Sequence, residues 1–193
     1  MADTSYKMCL VGDPKVGKST LLSKWTHGPN SKEFSSSKEY EPTLCPEFTT
    51  KKIGGREISV WDMGFDDKTF QENAGKYVEN ADVLILVFDW TCGSSVEGIK
   101  FHFENFAPHL PNCAFIVVGN KWEAEHSASA LRPQVEQFCQ QYNLRCVNTN
   151  AAEGTNVDLV FLTALEAARG GNTMYTSMQM GSLPQGPTVQ PVN

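Results

Sequence analysis

The stretch Gly12-Asp13-Pro14-Lys15-Val16-Gly17-Lys18-Ser19-Thr20 constrains this chain more than any other, because it fits G-x-x-x-x-G-K-[S/T] without a gap. Upstream, Tyr6 to Val11 carries Met8, Cys9, Leu10 and Val11 and reads as a buried strand; downstream, Thr20 to His27 begins as a helix. Strand, glycine-bearing loop and helix in that order make an anion cradle. Backbone N–H groups from Lys15 to Ser19 converge, and the unpaired donors and dipole of the helix start favour negative charge. The expected ligand is a phosphate chain lying along Asp13, Pro14, Lys15, Val16, Gly17, Lys18, Ser19 and Thr20. Lys18 would reach the outer phosphates and the Ser19 hydroxyl would hold Mg²⁺. Pro14 removes one N–H and Lys15 adds a charge, changes that bear on catalytic geometry more than on phosphate binding.

The rest of the chain suits an α/β fold. Its 193 residues are enough for one domain with a full core. Short apolar strands alternate with helical stretches to about residue 169, the pattern of a parallel sheet covered on both faces. The net charge of −6 argues against nucleic acid and anionic membranes as main partners. Six cysteines, Cys9, Cys45, Cys92, Cys113, Cys139 and Cys146, form no C-x-x-C pair and read as reduced thiols in a cytosolic protein. His27, His102, His109 and His126 lie in separate segments, which suits surface or capping roles better than a metal site.

Along the chain, Gly28 to Glu41 is polar, serine-rich and without a period, and reads as a functional loop. Glu47 to Ile53 and Arg56 to Trp61 flank Gly54-Gly55 and predict an antiparallel hairpin. Val83 to Phe88, ended by Asp89, predicts a central strand whose carboxyl end lies near the ligand crevice. Ser94 to Leu110 predicts a helix with Val96, Ile99, Phe101, Phe103 and Phe106 as core. Ala114 to Val118 and Leu144 to Val147 predict the remaining strands, Pro133 opens a helix, and Asn156 to Arg169 closes the domain. The composition from Gly170 onward is that of a disordered tail, giving a domain over 1–170 and a tail over 171–193.

A phosphate cradle serves kinases, ATPases and GTPases alike, so the segments after later strands decide among them. Glu41-Pro42-Thr43 could bring the Thr43 hydroxyl onto Mg²⁺ when a γ-phosphate is present. In Trp61-Asp62-Met63-Gly64, Asp62 would hold Mg²⁺ through water and the Gly64 N–H would touch the γ-phosphate. In Asn120-Lys121-Trp122-Glu123, the Glu123 carboxylate could accept from the ring N–H and exocyclic amine that guanine offers and adenine lacks.

On these residues the sequence resembles the Ras superfamily of small GTPases, and the Rab branch most closely, over residues 5 to 169. The family's phosphate loop, Pro-Thr switch, D-x-x-G switch, N-K-x-D base motif and late S-A-K motif recur in order, with Thr149-Asn150-Ala151-Ala152-Glu153-Gly154 at the last position. The resemblance implies a P-loop NTPase fold: three αβα layers around a mostly parallel six-stranded sheet with one antiparallel edge strand. It implies GTP or GDP with Mg²⁺, the metal on Ser19, Thr43 and Asp62, and the base on Asn120, Lys121, Glu123, Ala151 and Ala152. Ala151 would offer its backbone N–H to the guanine oxygen. Thr43-Leu44-Cys45-Pro46-Glu47-Phe48 is similar to the T-I-G-V-D-F run of Rab proteins, and Phe48, Trp61 and Tyr77 stand where Rabs carry their effector aromatics. An effector, an exchange factor and a GTPase-activating protein are the implied partners.

The departures qualify that picture. Gly64 comes one place early, and Phe65 or Asp66 stands where the family's water-orienting glutamine is expected, with Gln71 too far along to replace it. Intrinsic hydrolysis should therefore be slow. Glu123 adds a methylene to the base-reading aspartate, and an imperfectly paired buried donor costs roughly 1 to 3 kcal/mol. Phe34 and Tyr40 are alternative stackers on the base, and Trp122 either shields it or lies at the surface. The last cysteine is Cys146, so no prenyl anchor is expected, and membranes would be reached through partners, as by the Rab-like GTPases of intraflagellar transport. The expectation is a cytoplasmic, monomeric GTP/GDP switch in vesicle or intracellular transport. The alternative is a nucleotide-stabilised scaffold that binds a partner and does not cycle; a small-molecule kinase would want an arginine-bearing lid that this sequence lacks.

Overall fold

The computed structural model describes residues 5–28, 47–63, 75–122 and 128–170. Six strands, β1 (Tyr6–Val11), β2 (Glu47–Ile53), β3 (Arg56–Asp62), β4 (Val83–Asp89), β5 (Ala114–Asn120) and β6 (Arg145–Asn148), form one sheet in the order β2-β3-β1-β4-β5-β6. Every neighbouring pair is parallel except β2 and β3, so the antiparallel strand is at the edge. The helices bounded within the described residues are α1 (Lys18–His27), α2 (Ser94–Phe106), α3 (Ala128–Gln141) and α4 (Val157–Ala168), and residues 75–78 are helical as well. This is the three-layer architecture expected.

Strand alternation explains the layers, since successive side chains point to opposite faces. Met8, Leu10, Ile85, Val87, Ile116 and Val118 point to one face, where Leu21 and Trp25 of α1 and Val160, Phe161 and Ala164 of α4 cover them. Cys9, Val11, Leu84, Leu86, Phe88 and Val117 point to the other, under Val96 and Ile99 of α2 and Val135 and Phe138 of α3. All seven residues of β4 are buried, as a strand covered on both sides requires. Trp25 and Phe161 stack at 4.2 Å and tie α1 to α4. Fully burying side chains of this size is worth about 1.5–3 kcal/mol each.

Local chemistry sets the boundaries. Gly54 and Gly55, at φ 58° and 78°, make the two-residue turn of the β2–β3 hairpin. The helix expected to run to Leu110 tightens after Phe106 into a 3₁₀ turn at Ala107–His109, because Pro108 lacks the N–H that would continue the α ladder. Phe101 is not core: it is 49% exposed. It lies two residues from both Ile99 and Phe103, about 200° around the helix from each, so it faces away from the buried stripe. Pro133 sits inside α3, which already begins at Ala128; so near the helix start, its missing N–H removes only one rung. The stretch 171–193 lies outside the described residues.

Candidate functional site

The carboxyl ends of β1, β3, β4 and β5 meet on one side of the sheet, and the motif residues gather there. Leu10 near the end of β1 pairs in register with Asp62 at the end of β3, and Asp89 at the end of β4 pairs with Asn120 at the end of β5. The loop after β1 passes between them. Two glycines let it through: a Cβ on Gly12 would lie 2.1 Å from the Val87 carbonyl oxygen, and one on Gly17 would lie 2.2 Å from the Asn120 amide nitrogen. Both also have positive φ, and Lys15 adopts the left-handed region at φ 68°.

Helix α1 opens at Gly17 with no side-chain cap and no acidic residue in its first turn, leaving its N-terminal donors open to an anion. Lys18 is buried and donates from Nζ to the Gly12 and Asp13 carbonyls at 2.8 and 3.0 Å. Burial lowers its pKa, while Asp62 and Asp13 act to hold the charge. Asp62 is 1% exposed, and neither carboxylate oxygen has a hydrogen-bond partner among the described residues. Burial raises its pKa; the neighbouring Ser19 hydroxyl and the Lys18 charge oppose that shift, and Glu47 adds to it. An orphaned buried carboxylate beside a serine hydroxyl is a hard-oxygen donor set with a deficit of positive charge, and Mg²⁺ fits it. Ser19 and Asp62 are thus brought together; Thr43 and Gly64 lie outside the described residues.

The other end of the site is built from side chains of distant segments. Asn120 is 2% exposed and donates to the Val16 carbonyl at 2.8 Å, which ties the phosphate loop to β5. Its Oδ1 accepts from the Ala151 N–H at 3.0 Å. The Ala151 N–H, expected to meet a guanine oxygen, therefore already has an acceptor in Asn120. Ala152 is exposed, and Glu123 lies outside the described residues. Lys121, left-handed at φ 57°, pairs with Asp89 at 2.6 Å. Burial works to raise the Asp89 pKa, but Lys121 and the N–H and hydroxyl of Thr91 outweigh it and hold the carboxyl below its usual range.

Asp89 is one residue whose role the sequence did not disclose; its place at the end of an apolar strand was the available signal. Trp90 is another. Its indole donates to Asn148 Oδ1 at 3.0 Å and lies so close to Gly119 that a Cβ there would be 2.1 Å from Nε1. Trp122 packs edge-on against Trp90 at 5.2 Å with the Arg132 guanidinium 5.6 Å from its ring. Of the histidines, His102 is buried rather than superficial, 3.6 Å from Asp13 Oδ1, whereas His27 lies 3.2 Å from the Ser23 carbonyl in the last turn of α1. Phe34, Tyr40, Phe65, Asp66 and Gln71 fall outside the described residues.

On the hairpin, Phe48 is 60% exposed and stacks on Trp61 at 4.9 Å, with the Lys7 ammonium 5.2 Å from the indole. Tyr77 is half-buried against the core cluster that Trp61 also borders.

A strand-loop-helix phosphate cradle, an acidic strand end beside it and an Asn-Lys motif two strands away define a nucleotide-binding protein of the small-GTPase class. Residues 7–170 match the Ras family. The Ras-related protein YPTC6 of Chlamydomonas reinhardtii is 30% identical over 82% of this chain and 73% of its own. RIC2 of Oryza sativa is 30% identical over 84% and 74%, and RABA1c of Arabidopsis thaliana 29% over the same shares. The chain belongs to the Ras family, as a divergent Rab-like small GTPase.

Proposed function

We propose that this chain is a GTP/GDP switch in intracellular transport that holds Mg²⁺ and hydrolyses GTP slowly. The observation that carries it is Asp62, a buried carboxylate whose oxygens have no hydrogen-bond partner among the described residues, beside Ser19 and Lys18 at the mouth of the phosphate cradle. Mg²⁺, when bound, neutralises charge on the phosphates. Ser19 and Asp62 orient the metal, with Thr43 as the third candidate. Lys18 screens the outer phosphates, and the open N–H groups of α1 bind the phosphate oxygens. Asn120 and Lys121 back the base site, and Glu123 and Ala151 are the candidates for reading guanine.

Slow turnover follows from missing chemistry: Phe65 has no polar group to orient water, and Asp66 would place a charge near the γ-phosphate. A partner supplying an arginine could raise the rate by about 10³ to 10⁵. The Phe48–Trp61 stack supports an effector docking on the hairpin, since aromatic anchors are favoured there. Transport is supported by the Rab-related names among the relatives. Single-turnover hydrolysis of preloaded GTP tests this reading. The expected rate is at or below about 10⁻⁴ s⁻¹ without a partner. Rapid unaided hydrolysis would refute the slow-switch reading, and equal partner affinity of the GTP- and GDP-loaded forms would favour a scaffold that does not cycle.

A further inference from the structure

Asp13 of the phosphate loop touches α2, away from the metal and base residues described above. A Cβ on Gly98 would lie 2.3 and 2.5 Å from the two Asp13 carboxylate oxygens, so the carboxylate rests directly on the helix backbone. His102, one turn further along α2, brings Nε2 to 3.6 Å from Oδ1, with its own side chain 10% exposed and that of Asp13 34%. The imidazole is held between neighbours, edge-on to Phe101 at 5.7 Å and parallel to Phe106 at 6.5 Å. Asp13 is also the residue whose carbonyl accepts from Lys18 Nζ at 3.0 Å. One residue thus joins the buried lysine on its backbone side to α2 on its side-chain side. Glycine in mid-helix weakens a helix relative to alanine, and here the space it leaves is taken by the loop's carboxylate.

We propose that Gly98 and His102 form a socket for the Asp13 carboxylate that holds the phosphate loop in its nucleotide-retaining shape, with His102 a positioning residue acting through Asp13. The proposal rests on the nucleotide-binding reading above. The socket fixes the Asp13 carbonyl, and through it the point from which Lys18 reaches a phosphate. A shift of α2 is then felt at the nucleotide.

The test is the release rate of a fluorescent GDP from the full chain, chased with excess unlabelled GDP in Mg²⁺. Gly98→Ala should speed release on the order of tenfold although it favours the helix, and His102→Phe should do the same. His102→Gln, which keeps an N–H donor in the buried position, should stay within about twofold of the wild type. In an Asp13→Ala background the His102→Phe effect should vanish. Unchanged release in Gly98→Ala and His102→Phe overturns the proposal. So does His102→Gln releasing as fast as His102→Phe, or a His102→Phe effect that survives without the Asp13 carboxylate. If the wild type retains no labelled GDP, the nucleotide reading itself fails and the socket has no role to play.

Discussion

The two ends of the site are made differently. At the phosphate end most groups come from one contiguous loop and a helix start, joined by Asp62 at the end of β3, and polar capacity is left over: among the described residues neither Asp62 oxygen has a hydrogen-bond partner, and α1 has no side-chain N-cap. At the base end the groups come from β4, β5 and the turn after β6, and they satisfy one another: Asp89 holds Lys121, and Asn120 holds both Val16 and Ala151. An unsatisfied buried carboxylate is costly, so the phosphate end gains most from a ligand. The described residues of the base end already brace one another.

Substitutions can break this contrast. Lys18→Ala removes the one buried ammonium at the phosphate end and should weaken nucleotide affinity about 100-fold or more, measured by titration with fluorescent GDP; at 1.4 kcal/mol per decade that is about 3 kcal/mol. Asp62→Asn should erase the Mg²⁺ dependence of nucleotide release, an effect of about tenfold, read by comparing release with and without chelator. The same variant should make the nucleotide-free protein more stable at neutral pH. Burial raises the Asp62 pKa above its ordinary 3.8, so the folded state binds that proton more tightly. The stability this group contributes is full below 3.8 and is lost as pH rises through the folded value. Urea midpoints of wild type and variant should therefore converge as pH falls toward 4 and separate toward 7.

Base-end changes should be smaller. Asp89→Asn keeps the contacts to Thr91 but loses the ion pair with the half-exposed Lys121, so about 1 kcal/mol of stability should go, visible in chemical unfolding. Its pKa is lowered on folding, so this contribution is present above the ordinary 3.8 and is lost as pH falls through the folded value, the opposite sign to Asp62. Trp122→Ala removes the edge contact to Trp90 and the Arg132 contact; about 1 kcal/mol of stability and less than about a threefold change in GDP affinity are expected. A larger affinity loss there than in Asp62→Asn would reverse the comparison.

What could be read in advance follows the same division. The cradle was legible because its parts are covalent neighbours: Gly12, Gly17, Lys18 and Ser19 need only their spacing. The sheet was legible because period-two alternation and the Gly54-Gly55 turn are local. The Asn120–Ala151 bond and the Asp13–His102 contact were not, since each joins residues that only the parallel crossovers bring together. Phe101 shares its stretch with core aromatics but not their face, because two residues from Ile99 and Phe103 is the opposite side of a helix. Pro133 was given the commonest helical position for proline, whereas α3 gains an extra stretch ahead of it.

The central claim is that a guanine nucleotide lies on the N–H groups ahead of α1 with its metal at Asp62. The most direct measurement is the nucleotide released when the purified full chain is denatured, identified and counted. The account predicts GDP or GTP at close to one per chain, lost from the wild type when Mg²⁺ is chelated. Adenine nucleotide, or a wild-type protein that emerges bare and binds no added GDP with Mg²⁺ present, would contradict it.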